Sequence, residues 1–221
     1  MIKLCLLDFD GTLCATHDAI RTCIELTFDH YGVKRPDAAR IEHVIEAGVV
    51  MSEAMQQLMG SRLSVAQADE WAATYRAYYV ERGLQHTQLF ADVERVLTEL
   101  QTLGVALVIT SNKAEASVKK AIDHYGIAHF FDMLVCDPPG LPKKPDAACY
   151  EQLIAPRYPH VPRGEIAVVG DTQADLGLAR NIGAIACWAA YGYGDKARCT
   201  AMEPDIVLQG FGELVEKLKT R

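Results

Sequence analysis

The sequence predicts an α/β protein: a parallel, Rossmann-like sheet core with an all-helical segment inserted after the first strand. Three observations carry this. Short, continuously apolar runs recur along the chain, and several end in polar residues, the pattern of strands buried on both faces. Helical periodicities, most of them closed by glycine, separate those runs, and strands alternating with helices build a parallel sheet. Between about residues 15 and 85 only helical periodicity is present. The expected domains are therefore 1–14 with 86–221 for the α/β core and 15–85 for a helical cap.

The first strand, Leu4-Cys5-Leu6-Leu7, runs into Asp8-Phe9-Asp10-Gly11-Thr12-Leu13. Side chains alternate across a strand, so Asp8 and Asp10 share a side. Two neighbouring carboxylates repel unless a proton or a cation lies between them, and a hard cation such as Mg²⁺ takes oxygen ligands. Asp-Gly between apolar runs also signals a hairpin. Here the preceding run does not alternate, and Cys14 to Arg21 reads as a helix start rather than a returning strand.

In the helical segment, Ala19, Ile20, Cys23, Ile24 and Phe28 form one apolar stripe, closed by Gly32. Ile41, Val44 and Ile45 mark a second helix. Met51, Met55 and Met59 recur every fourth residue before Gly60, and read as core. Ser64 with Gln67 is a capping box that opens a long helix through Trp71, Tyr75 and Tyr78. A helical insertion directly after such a strand is a candidate lid.

Beyond it, Val93 to Leu100 is helical and stopped by Gly104. A second strand, Val105 to Thr110, ends in Ser111-Asn112-Lys113. A helix from about 114 to 125 stops at Gly126, and Met133 to Cys136 is a third strand. Asp137 to Pro145 is a rigid, proline-rich loop, and residues 146–155 are expected to be helical. Ile166 to Gly170 is a fourth strand ending at Asp171. A helix over 173–182 stops at Gly183, Ile185 to Trp188 is a fifth strand, and Ile206 to Leu208 precedes a terminal helix. Ligands of such sheets lie beyond the carboxyl ends of the strands. Asp8, Asp10, Ser111, Asp171 and Asp175 all fall there.

Half the residues are hydrophobic, enough for a sizeable core, and the net charge of −7 argues against general nucleic-acid binding. Seven cysteines show no paired framework or metal spacing, which suits a reducing compartment. The first strand begins within a few residues of Met1 without a leader, and no apolar run approaches a membrane span. A cytoplasmic protein without membrane partners is expected; nothing in the pattern sets an oligomeric state.

DFDGTL resembles the first motif of the haloacid dehalogenase superfamily of phosphatases, and three further motifs follow in the family's order. Ser111 matches the second, Lys144 before Pro145 the third, and Gly170-Asp171-Thr172-Gln173-Ala174-Asp175 the fourth, GDxxxD. The resemblance implies a Mg²⁺-dependent hydrolase of small phosphorylated metabolites. Asp8 would attack phosphorus and form an aspartyl-phosphate, and Asp10 would be the acid and base. Ser111, Asn112 and the backbone at Gly11 would hold the phosphoryl group, and Lys144 would balance its charge. Asp8, Asp10, Asp171 and Asp175 would surround the metal.

The helical segment, Tyr125-Gly126-Ile127, Phe130-Phe131-Asp132 and Tyr191-Gly192-Tyr193-Gly194 are similar to the phosphoglycolate phosphatase subgroup. The chain departs from it at Ala15, usually acidic, in the Asp137–Pro142 loop and in Arg157 to Pro162. A phosphomutase or pyrophosphatase on the same scaffold is the related reading. A phosphorylatable receiver module is the reading from another class, and it has no use for a lid or for an acid–base pair. His17, His43 and Arg62 are polar candidates for the lid face.

Overall fold

The computed structural model describes residues 1–60 and 62–220. The chain starts with β1 (Leu4–Leu7) and a two-residue strand β2 (Cys14–Ala15). Four helices follow: α1 (His17–His30), α2 (Ala38–Ala47), α3 (Met51–Leu58) and α4 (Val65–Arg82). The capping box holds as expected: Ser64 Oγ accepts from Gln67 N, and Gln67 Oε1 accepts from Ser64 N. A second short strand, β3 (Gln88–Leu89), pairs antiparallel with β2 and ties the start of the helical block to its end. This ribbon was not expected. Two residues per strand leave no periodicity to read, and the partners lie more than seventy positions apart.

The rest alternates as the sequence implies. α5 (Val93–Thr102), β4 (Ala106–Ser111), α6 (Glu115–His124), β5 (Met133–Cys136), β6 (Ile166–Gly170), α7 (Gln173–Ile182) and β7 (Ile185–Ala189) come in turn. α8 (Lys196–Ala201), β8 (Ile206–Leu208) and α9 (Leu214–Lys219) finish the chain. The helix expected over 146–155 takes another form. Tyr150–Ile154 is a wide π turn that tightens into a 3₁₀ turn over Ala155–Arg157, where Pro156 allows no regular continuation. α8 escaped the reading because six residues carry little periodicity.

Six strands form one parallel sheet in the order β5-β4-β1-β6-β7-β8. β1 is central, with Leu7 opposite Ile109 of β4 and Val169 of β6. The chain builds outward from β1 through β4 to β5, then crosses back to β6 and builds the other way. The strand order thus reverses beside β1, where open α/β sheets hold their ligands.

Alternation on β1 fills both faces. Cys5 and Leu7 pack with α5, α6 and α9, whereas Leu4 and Leu6 pack with α7 and the turn at Tyr150 and Ile154. The helical block has a third core of its own, from Ile20, Ile24, Phe28, Ile41, Met55 and Trp71 among others. Tyr31 stacks flat on Trp71, with ring centroids 4.3 Å apart. Met55 and Met59 are buried in this core, as the methionine pattern implied, whereas Met51 is half-buried at its margin and lines a cavity beside it. Among the described residues, no helix is long and apolar enough to cross a membrane.

Candidate active site

The polar residues at the carboxyl ends of β1, β4 and β6 converge. Asp8 leaves β1, Asp171 follows β6, and Asp175 sits on the first turn of α7; all three are buried. One carboxylate oxygen from each lies within 4.8 Å of the other two. Lys144, buried as well, reaches into this group from the loop after β5. Its Nζ donates to Asp8 Oδ1 at 2.8 Å, Asp175 Oδ1 at 2.5 Å and the Thr110 carbonyl at 2.7 Å. The Lys144 backbone is fixed by Asn112, whose Oδ1 accepts from Lys144 N at 3.0 Å while its Nδ2 donates to Lys144 O.

Three buried carboxylates against one ammonium leave net negative charge. Burial pushes the Asp8 carboxyl up; Lys144 pulls it back and Asp175 and Asp10 push it further, so it settles at about 7. Burial, then the charges of Asp8 and Asp175, lift Asp171 well above the usual carboxylate range. For Lys144 burial alone would lower the pKa, but the Asp175 and Asp8 carboxylates outweigh it and hold the ammonium charged. A cluster that resists full ionisation by itself, and whose donors are all carboxylate oxygens, fits a hard divalent cation.

The remaining acceptors are tied down by the protein. Asp171 Oδ2 takes the backbone N–H of Tyr193 at 2.7 Å, and Trp188 Nε1 donates to the Asp171 carbonyl at 3.1 Å. Asp175 Oδ2 accepts from Thr172 N and Thr172 Oγ1, closing the first turn of α7 as a capping box. Gly11 adopts positive φ, and a Cβ there would overlap the Asp171 carboxylate. A Cβ on Gly192 would do the same from the other side.

Asp10 lies beside the carboxylate cluster. Both of its oxygens accept from Lys113 Nζ, at 3.1 and 3.0 Å, and that ammonium also stands 3.7 Å over the Tyr79 ring of α4. A cavity of about 120 Å³ opens above, lined by Asp8, Asp10, Ser111, Asn112, Lys144 and Asp171 and roofed by residues of the helical block. At Gly48 the block comes so near the sheet that a Cβ would touch the Thr172 side chain.

Comparison with known proteins places the chain in a family. A family model described as haloacid dehalogenase-like hydrolase matches residues 5–189. The chain belongs to this family. It is 26% identical over 219 residues to a phosphoglycolate phosphatase of Vibrio cholerae, covering 97% of this chain and 96% of that one. A haloacid dehalogenase-like family hydrolase from Streptococcus pneumoniae superposes with a TM-score of 0.83 at 27% identity, over 98% of each chain. A further haloacid dehalogenase-like hydrolase, from Bacteroides fragilis, shares the fold, with a TM-score of 0.87 at 22% identity over 97% of this chain and all of that one.

In this haloacid dehalogenase-like hydrolase the motif residues Asp8, Asp10, Gly11, Ser111, Asn112, Lys144, Asp171 and Asp175 gather in one place. Two of them stand differently from the expectation. The Asp10 side chain is paired with Lys113 and lies outside the close carboxylate group, and the Asn112 carboxamide is spent on the Lys144 backbone. None of His17, His43 and Arg62 lines the cavity; His17 pairs with Glu42 instead. Lys113, Thr172 and Tyr193 were missed. Lys113 directly follows Ser111-Asn112, but a lysine in a loop carries no signal of its partner. Tyr193 stood in a noted Tyr-Gly repeat without an assigned role.

Proposed function

We propose that the chain is a Mg²⁺-dependent phosphatase that hydrolyses a small phosphomonoester through an aspartyl-phosphate on Asp8. The carrying observation is the grouping of Asp8, Asp171 and Asp175 around Lys144 at the strand ends, beneath a roofed cavity. The phosphatase names of its relatives point the same way.

In this reading an Asp8 carboxylate oxygen attacks phosphorus in line, and the ester oxygen leaves with a proton from Asp10. Water then attacks the same phosphorus, Asp10 takes its proton, and the bond to Asp8 breaks to release inorganic phosphate. Lys144 balances charge on Asp8 and on the transferring group. Ser111 lines the cavity as a donor, and Asn112 acts as a positioning residue by holding the Lys144 backbone. Asp8, Asp171 and Asp175, with Asp10 alongside, would hold Mg²⁺, which supplies charge neutralisation as phosphorus is attacked.

The helical block, 15–85, is read as a cap over a core of 1–14 and 86–221. Its separate hydrophobic core, the β2–β3 ribbon at its root and the shared cavity support this. A cytoplasmic location belongs to the proposal and accords with seven buried cysteines.

The test is phosphate release from phosphoglycolate, sugar phosphates, nucleoside monophosphates, pyrophosphate and an aryl phosphate, with Mg²⁺ and with a chelator. Mg²⁺-dependent release that falls by at least about a hundredfold in Asp8→Asn is expected. Release that survives the substitution, or the chelator, overturns the mechanism.

A further inference from the structure

The phosphatase reading leaves the leaving group open, and the inference here rests on that reading. In-line attack from Asp8 puts the leaving oxygen on the far side of phosphorus, toward the roof of the cavity. That roof is apolar where α1 to α3 form it, at Ile20, Val44, Ile45 and Met51. Where α4 forms it, Arg76 and Tyr79 join the lining. They lie three residues apart, so one turn of the helix carries both.

Three cations line the cavity among the described residues, and two of them are spent. Lys144 is held between Asp8 and Asp175, and Lys113 by both oxygens of Asp10. Arg76 is different. Its guanidinium makes no hydrogen bond among the described residues, and the acid it approaches, Asp137, is 3.8 Å away. Asp137 is already taken, because Lys143 Nζ pairs with its other oxygen at closer range. An exposed pair at that distance contributes little, so Arg76 can exchange Asp137 for a ligand at small cost. The Tyr79 hydroxyl is a second donor of this lining without an acceptor, and it is buried.

The Arg76 side chain is 40% exposed, which sets it at the mouth of the cavity rather than on the buried floor with Asp8 and Lys144. Lys143 offsets Asp137, and the charge of Arg76 is left over. A guanidinium presents parallel N–H donors that match the two oxygens of a carboxylate, and such charge-assisted bonds are about twice as strong as neutral ones. A leaving group with a short carbon skeleton and an anionic end would lie along the apolar side and meet a free partner at α4.

We infer that Arg76 is a specificity-determining residue for the leaving group. It binds an anionic group at the far end of the substrate, so the enzyme selects small phosphomonoesters whose leaving alcohol carries such a group over their neutral counterparts.

Phosphate esters of hydroxy acids with two, three and four carbons test this against their carboxamides, which keep the shape and remove the charge. With Mg²⁺, kcat/KM is expected to favour the acid over its amide by about tenfold or more at one chain length at least. Arg76→Gln is expected to bring that ratio close to one. Amides that match or exceed the acids at every length overturn the inference, as does a ratio that survives the substitution while both esters slow alike. A second measurement needs no turnover: calorimetry, in the presence of Mg²⁺, with the corresponding phosphonates, in which CH₂ replaces the ester oxygen. Tighter binding of an acid than of its amide by the wild type, lost in Arg76→Gln, supports the anion site; equal binding, or the same preference in the variant, overturns it. If no ester, including an aryl phosphate control, releases phosphate, the phosphatase reading falls, and the phosphonates still decide whether Arg76 binds an anion.

Discussion

The Lys144 ammonium stands 2.8 Å from the Asp8 carboxylate, although 136 positions separate them in the chain. It is also the cation closest to Asp175, so one side chain balances two buried acids. Lys144→Met is expected to lower stability by about 3–5 kcal/mol in a chelator, because it leaves buried carboxylates without a partner. Mg²⁺ should restore part of that loss. Urea unfolding with and without Mg²⁺ reads both; an unchanged midpoint in chelator would show that the pair does not hold the fold.

Asp171 offers its carboxylate to the same cluster, held by Tyr193 N at its Oδ2 and by Trp188 Nε1 at its carbonyl. Asp171→Asn is expected to raise the Mg²⁺ concentration for half-maximal activity by about tenfold or more. An unchanged Mg²⁺ titration would remove Asp171 from the metal site.

Asp8 is raised from 3.8 to about 7, chiefly by burial. The folded chain therefore keeps a proton that the unfolded chain has lost between about pH 4 and pH 7. Without metal, stability is expected to fall as pH rises through that window. Mg²⁺ must displace the proton, so its stabilising effect should grow over the same range, reaching about 2–3 kcal/mol near a hundredfold excess over Kd. Thermal unfolding at pH 5 and pH 8, each with Mg²⁺ and with chelator, checks this. An equal Mg²⁺ effect at both values would contradict Asp8 as a ligand.

Tyr193 joins the cluster to the helical block. Its backbone N–H reaches Asp171, while its hydroxyl accepts from the Thr16 and His17 amides at 2.6 and 3.1 Å. Thr16, the N-cap residue of α1, makes no side-chain cap of its own. Tyr193→Phe removes the replacement cap and is expected to cost about 1–2 kcal/mol. A loss within error of zero would show that water serves α1 equally well.

The sequence by itself determined the alternation, the strand ends and the order of the four motifs. Those features are local: period and punctuation fix where an apolar run stops, and a parallel sheet forces Asp8, Ser111 and Asp171 to the same edge. Ser64 with Gln67 was legible for the same reason, since the cap closes within one turn. Only the tertiary structure decided which cation meets which acid. Lys113 on Asp10, Asn112 on Lys144 and Tyr193 on α1 are chosen by packing between segments 32 to 177 positions apart, and no local periodicity encodes such partners. The apolar roof is decided the same way. Ile20, Val44 and Met51 read as core on their helices, and only the placement of the block over the strand ends turns part of that core surface toward the cavity that Asp8 and Asp171 line.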